Sequence, residues 1–223
     1  MDTKLFITAL AKVAAGILLV GALLFVPAGT LDWWQAWLLM GILFIPMITA
    51  GFFMLAKAPD LLRKRLDARE EEGEQRVVIA LSGLMFLAAF VVAGLGHRFG
   101  WPAFPTWVTW LGAALFLASY ALYGVVISEN KFLSRTIEVQ DGQHVVDTGL
   151  YGIVRHPMYS STLVLFLSMP LVLGSPFAFV IMLVYIPIIV KRILNEEKVL
   201  AEGLEGYADY LARVPWRLIP HIW

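Results

Sequence analysis

Apolar runs of about twenty residues recur along this chain, and that length is what a helix needs to cross the hydrocarbon core of a bilayer. Polar residues bound four of them, at about Leu5 to Val26, Trp33 to Ala56, Val77 to Gly96 and Trp107 to Ile127. Trp33, Trp34 and Trp37 open the second run, as interfacial aromatics do. A fifth apolar stretch, Tyr159 to Val190, exceeds one span of roughly 17–25 residues. Gly174-Ser175-Pro176 breaks it in the middle, so it reads as a hairpin of two short helices. Pro170 and Pro187 are expected kinks, which neighbouring helices tolerate inside a membrane. The fold class expected is all-α. It is an integral membrane helical bundle of about six transmembrane helices, including the C-terminal hairpin, followed by a cytoplasmic C-terminal helical segment. All 223 residues form a single membrane domain, with a four-helix N-terminal part at 1–128 and a second part at 129–223.

Composition supports this class and removes others. The chain is 60% hydrophobic, well above the apolar share of soluble domains. Lys and Arg total 17, and so do Asp and Glu, which gives no footprint for nucleic acid. There is no cysteine, so disulfides, thiolate nucleophiles and cysteine metal sites are excluded. His97, His144, His156 and His221 lack metal-ligand spacing, and no serine sits in a Gly-x-Ser-x-Gly elbow. Gly94-Leu-Gly-His-Arg-Phe-Gly100 has the wrong spacing and context for a dinucleotide loop. The N-terminal apolar run lacks a cleavage site and reads as a retained first helix.

Orientation follows from basic residues. Lys57, Arg63, Lys64, Arg65, Arg69 and Arg76 crowd the segment after the second run, alongside the acidic Glu70–Glu72, which reads as a solvated face. The positive-inside rule makes that segment cytoplasmic. With six spans, both termini are then cytoplasmic. So are the two polar clusters that flank the hairpin.

The first cluster is Gly149-Leu-Tyr-Gly-Ile-Val-Arg-His-Pro-Met-Tyr159, and the second is Lys191-Arg-Ile-Leu-Asn-Glu-Glu197. If the hairpin doubles back, they meet at one membrane face. Arg155, His156 and Tyr159 admit two readings: a basic, aromatic headgroup flank, or the mouth of a polar pocket. Arg192 and Glu196 are four apart and can pair on an ordinary solvated helix. Yet they directly continue an apolar span, where ionisable groups tend to face a bundle interior and mark function.

Taken together, Gly149-x-Tyr151-x3-Arg-His-Pro-x-Tyr159, the hairpin, Arg192-x3-Glu-Glu197, Gly206-Tyr207-x2-Tyr210-x3-Val214-Pro215 and Ile219-Pro220 resemble the isoprenylcysteine carboxyl methyltransferase family. Phospholipid N-methyltransferases are more distantly similar. The resemblance covers about Val145 to Ile222. It implies a membrane-embedded methyltransferase that uses S-adenosylmethionine in a cytoplasm-facing pocket closed by the C-terminal segment. A lipophilic or prenylated acceptor would enter from the bilayer, among membrane lipids. By similarity, Tyr151, Arg155, His156, Tyr159 and Glu196 belong to the cofactor pocket. Gln143 and His144 compete for a position where the family carries a histidine. Arg192 and Glu197 take the catalytic positions, Arg192 toward the acceptor and Glu197 near the reacting centre.

The chemistry is compatible with that implication. Methyl transfer chiefly requires alignment of donor and acceptor, a contribution of roughly 7–11 kcal/mol at best. A carboxylate acceptor, with a pKa of about 4, needs no base but does need a cation to hold it. An arginine's planar fork suits that task. An amine acceptor would instead use a carboxylate base. Phospholipid amines and small thiols are therefore alternative acceptors. The Arg-His-Pro-x-Tyr hairpin also resembles NADPH-dependent membrane sterol reductases, which are longer chains, and a non-catalytic protein that kept the pocket is a third reading.

Overall fold

The structure, a computed structural model, describes residues 3–66, 73–130, 132–133 and 139–223. Among these residues all regular structure is helical. Helix α1 (Thr3–Ala28) and α2 (Trp34–Lys57) are followed by the short α3 (Pro59–Leu66), which begins on a proline whose missing N–H costs a first turn nothing. Then come α4 (Gly73–Phe99), α5 (Thr106–Glu129), a 3-10 turn at Gly149–Gly152, α6 (Pro157–Val172), α7 (Pro176–Met182), α8 (Tyr185–Gly203) and α9 (Tyr207–Arg213).

Five described segments are long and apolar enough to cross a membrane: α1, α2, Val77–Phe99 of α4, α5, and α7 with α8 as Pro176–Gly203. The protein is an integral membrane protein. The hairpin's first arm, α6, is short, as expected, at 16 residues. At 1.5 Å per residue that is about 24 Å, less than a hydrocarbon core of about 30 Å. The second arm carries the kink that Pro187 predicts. α7 and α8 are separated at Leu183 and Val184, because the Pro187 ring would collide with the carbonyl four residues before it. The Gly174-Ser175-Pro176 break is confirmed: the Ser175 side chain caps α7, accepting the Ala178 N–H at 3.3 Å.

One expectation is corrected. Trp33 is no interfacial aromatic. It is 2% exposed and stacks on His97 at 4.8 Å, whereas Trp34 and Trp37 are exposed. The cluster that begins at Lys191 continues the apolar span, as expected, within α8, which runs unbroken to Gly203. The Glu70–Glu72 run and Arg69 lie outside the described residues.

Packing within a bilayer relies on close contact, since lipid tails are as apolar as leucine. Small residues permit it here. A Cβ on Gly94 would meet the Leu24 carbonyl of α1 at 2.6 Å, and one on Gly112 would meet Val172 N of α6 at 2.8 Å. The Gly94 motif is thus a helix-packing position. Leu24, Leu39, Phe116, Met182 and Ile193 fill the core between the helices. A second, smaller core of Leu204, Tyr207, Tyr210 and Val214 seats α9 beside the end of α8.

Candidate active site

The hairpin returns the two polar clusters to one end of the bundle. Pro157 at the first position of α6 fixes where that helix begins, so His156 is its cap residue and Tyr159 lies within its first turn. Across from them, Arg192, Glu196 and Glu197 ride on α8.

Tyr159 joins the helices. Its hydroxyl donates to Glu196 Oε2 at 2.5 Å and accepts from Arg192 Nε at 2.8 Å. The Arg192 guanidinium also lies 5.8 Å from the Tyr159 ring centre. Tyr159 is 4% exposed, which rules out the belt aromatic reading. One turn deeper, Thr162 Oγ1 and Tyr185 Oη meet at 3.2 Å.

The neighbouring glutamates face different surroundings. Glu196 lines a partly open cavity. Glu197 does not line it. It is 8% exposed and sits in a knot of nitrogen groups: His156 Nε2 at 3.2 Å, Arg155 Nε at 3.2 Å, and Arg217 Nε donating at 2.9 Å. Against a carboxylate, the nearer His156 nitrogen is the one that carries the proton. Arg155 Nε is close enough for charge attraction but off the hydrogen-bonding axis. Glu197, expected near the reacting centre, therefore stands behind the cavity wall with its oxygens occupied.

The other residues expected in the cofactor pocket all line this cavity: Gln143, His144, Tyr151, Arg155, His156 and Tyr159, together with Arg192. Gln143 and His144 both reach it. Gln143 Oε1 accepts the Gln140 N–H at 2.8 Å, and the His144 ring meets Phe132 edge-on at 5.0 Å. Tyr207 and Tyr210 complete an aromatic wall. Burial pushes both phenols far above the ordinary tyrosine range, with nearby Glu197 adding to the effect at Tyr207 and Tyr151 at Tyr210. Both remain protonated, and Tyr210 Oη donates to the Tyr151 carbonyl at 2.8 Å.

Arg217 is the residue the sequence did not single out. It belongs to a C-terminal strap that pairs with the first cluster. Arg155 N donates to the Trp216 carbonyl at 2.8 Å, His156 N to the Arg217 carbonyl at 2.9 Å, and Ser160 Oγ to the Leu218 carbonyl at 2.6 Å. Arg213 pairs with Asp147 at 2.6 Å. The one available signal was a basic residue framed by Val214-Pro215 and Ile219-Pro220.

Residues 108–202, from α5 to the end of α8, match the isoprenylcysteine carboxyl methyltransferase (ICMT) family. That segment of the chain is similar to this family. The fold agrees with a solved structure of the eukaryotic intramembrane Ras methyltransferase ICMT: TM-score 0.55 and 18% identity, over 96% of this chain and 77% of that one. Among curated proteins, a Delta(14)-sterol reductase of Methylotuvimicrobium alcaliphilum is 28% identical over 134 residues, covering 53% of this chain and 31% of the reductase. A Delta(14)-sterol reductase of Mus musculus is 30% identical over 91 residues, covering 40% of this chain and 22% of the reductase. The chain thus spans less than a third of the length of either curated relative.

Proposed function

We propose that this chain is a membrane methyltransferase of the ICMT family that uses S-adenosylmethionine to methylate the carboxylate of a prenylcysteine-like lipophilic acceptor. The observation that carries the reading is the Glu196–Tyr159–Arg192 chain of hydrogen bonds at the cavity wall. It sets a carboxylate and a guanidinium side by side where an apolar hairpin leaves the membrane.

The donor set fits the cofactor. A positively charged sulfur is favoured by the Glu196 carboxylate and by the faces of Tyr151, Tyr159, Tyr207 and Tyr210. The cofactor's own carboxylate has Arg155 and His156 within the same cavity. When bound, S-adenosylmethionine supplies an electrophilic methyl group on that sulfur. Gln143 and His144 bind from the loop side. Arg192 presents the fork that holds an acceptor carboxylate, which is already ionised and needs no base. Glu197 acts through others: it neutralises Arg155 and Arg217 and orients His156, and so is a positioning residue.

Orientation and organisation belong to the same reading. The basic stretch from Lys57 to Arg76 supports cytoplasmic termini and a cavity facing the cytoplasm. The chain reads as one membrane domain, with residues 1–128 as scaffold and 129–223 as the catalytic part. The family match from residue 108 makes α5 common to both. The sterol reductase relatives support a second reading, a reductase using NADPH on a lipid.

The test is incubation of purified protein with methyl-labelled S-adenosylmethionine and a farnesylcysteine acceptor. Label should appear as a base-labile methyl ester. Label in phospholipid amines or thiols would move the acceptor class, and consumption of NADPH with a sterol substrate would favour the reductase.

A further inference from the structure

Glu129 is the last residue of α5, and a carboxylate at a helix C-terminus opposes the negative end of the helix dipole. An ordinary solvated charge at a membrane edge gains nothing from that position. Here the side chain turns to the first polar cluster, where Oε2 accepts the Leu150 N–H at 2.9 Å. The preceding Gly149 has φ +59, and a Cβ there would stand 2.6 Å from Glu129 Cδ and 2.7 Å from Oε2. Glycine is therefore favoured by the left-handed backbone, and a side chain there would push the Glu129 carboxylate from its place.

We infer that Glu129 is a positioning residue for the cavity: its carboxylate anchors the turn that aims Tyr151 and starts the segment ending at His156. Glu129 itself does not line the cavity, whereas Asn130, Phe132 and Leu133 immediately after it do. The turn it holds continues through Tyr151 N to the Thr148 carbonyl and Val154 N to the Leu150 carbonyl, each at 3.1 Å. At its far end the same segment is pinned by the C-terminal strap, through Arg155 N and His156 N. Residues 149–156 are thus clamped by α5 at the start, by Tyr210 Oη on the Tyr151 carbonyl in the middle, and by residues 216–217 at the end. Removing the α5 clamp loosens the half that carries Tyr151, leaving it held by Tyr210 alone, while the Glu197 knot stays intact.

The ligand in this inference rests on the proposed methyltransferase reading; the anchor does not. The experiment compares Glu129→Ala and Glu129→Gln in full-length purified protein, by amide exchange over residues 148–156 and by S-adenosylhomocysteine titration. Glu129→Ala should speed exchange there and weaken S-adenosylhomocysteine about tenfold or more, as losing a hydrogen bond to a charged group does. Glu129→Gln keeps an acceptor oxygen and should restore slow exchange, with affinity within about threefold of wild type. Gly149→Ala should match Glu129→Ala, and the double variant should be no weaker than Gly149→Ala alone. Wild-type exchange in Glu129→Ala, or equal loss in Ala and Gln variants, would overturn the anchor. If wild-type protein binds no S-adenosylhomocysteine, the methyltransferase reading fails, and amide exchange alone still decides the role of Glu129.

Discussion

Arg217 Nε donates to Glu197 Oε2 at 2.9 Å, and that bond ties the C-terminal strap to the C-terminal part of α8. Glu197 in turn holds His156 and Arg155, whose backbone amides pair with residues 216 and 217. The C-terminal strap is thereby joined to the cavity wall by both side chains and backbone.

Glu197→Ala leaves buried cations without their counter-charge, and breaking such a set costs about 3–5 kcal/mol. The variant should show a large drop in melting temperature, or fail to fold. Arg217→Ala, at a more exposed member, should cost less, about 1–3 kcal/mol, and should loosen residues 155–156. Thermal denaturation of both, with S-adenosylhomocysteine titration of the survivor, checks this. Equal, near-zero shifts would show the knot to be incidental.

Arg192→Lys keeps the charge but loses the planar fork and its Nε–H to Tyr159. Turnover on the acceptor should fall about 10–100-fold while S-adenosylhomocysteine affinity stays near wild type, since an interaction made only in the transition state lowers kcat and kcat/KM together. Wild-type turnover would return Arg192 to the reading of an ordinary charged residue on a solvated helix.

How far the sequence led can be judged from particular residues. Period and length gave the helices, and the Gly174 break gave the hairpin, because apolar runs and turn residues act locally. The meeting of Tyr159 with Arg192 and Glu196 followed once the hairpin closed. The division between Glu196 and Glu197 was not legible, since adjacent residues on a helix point about 100° apart and only tertiary packing decides which faces the cavity. Arg217 and Glu129 were hidden for the same reason. Each looks like an ordinary terminal charge until a distant loop is folded against it. Trp33 misled because a tryptophan at a span's end normally sits at the interface, and here it is covered by His97.

Tyr207 and Tyr210 give a pH dependence with a definite sign. Burial raises both phenols in the folded chain. The stability they contribute is fully present below the ordinary tyrosine pKa of about 10 and is lost as pH rises beyond it, because the unfolded chain then releases protons the folded chain keeps. Melting temperature should fall from pH 9 to about pH 11 more steeply in wild type than in Tyr207→Phe/Tyr210→Phe. Parallel curves would contradict the assignment.

Topology can be read with single introduced cysteines, since the chain has none of its own. Ser175 is buried and caps α7, so the exposed Ala103 is the better probe of that end, with Glu202 at the other. Ala103→Cys should label from outside intact cells, and Glu202→Cys only after permeabilisation. Labelling of both from the same side would overturn the orientation.

The central claim is a cofactor cavity built between α6, α8 and the C-terminal strap, and calorimetric titration of purified wild-type protein tests it most directly. S-adenosylhomocysteine should bind at one site per chain and raise the melting temperature, as a ligand of the folded state must. Tyr159→Phe, which removes the hydroxyl joining Arg192 to Glu196, should weaken that binding about tenfold. Binding of NADPH with none of S-adenosylhomocysteine, or unchanged affinity in Tyr159→Phe, would contradict it.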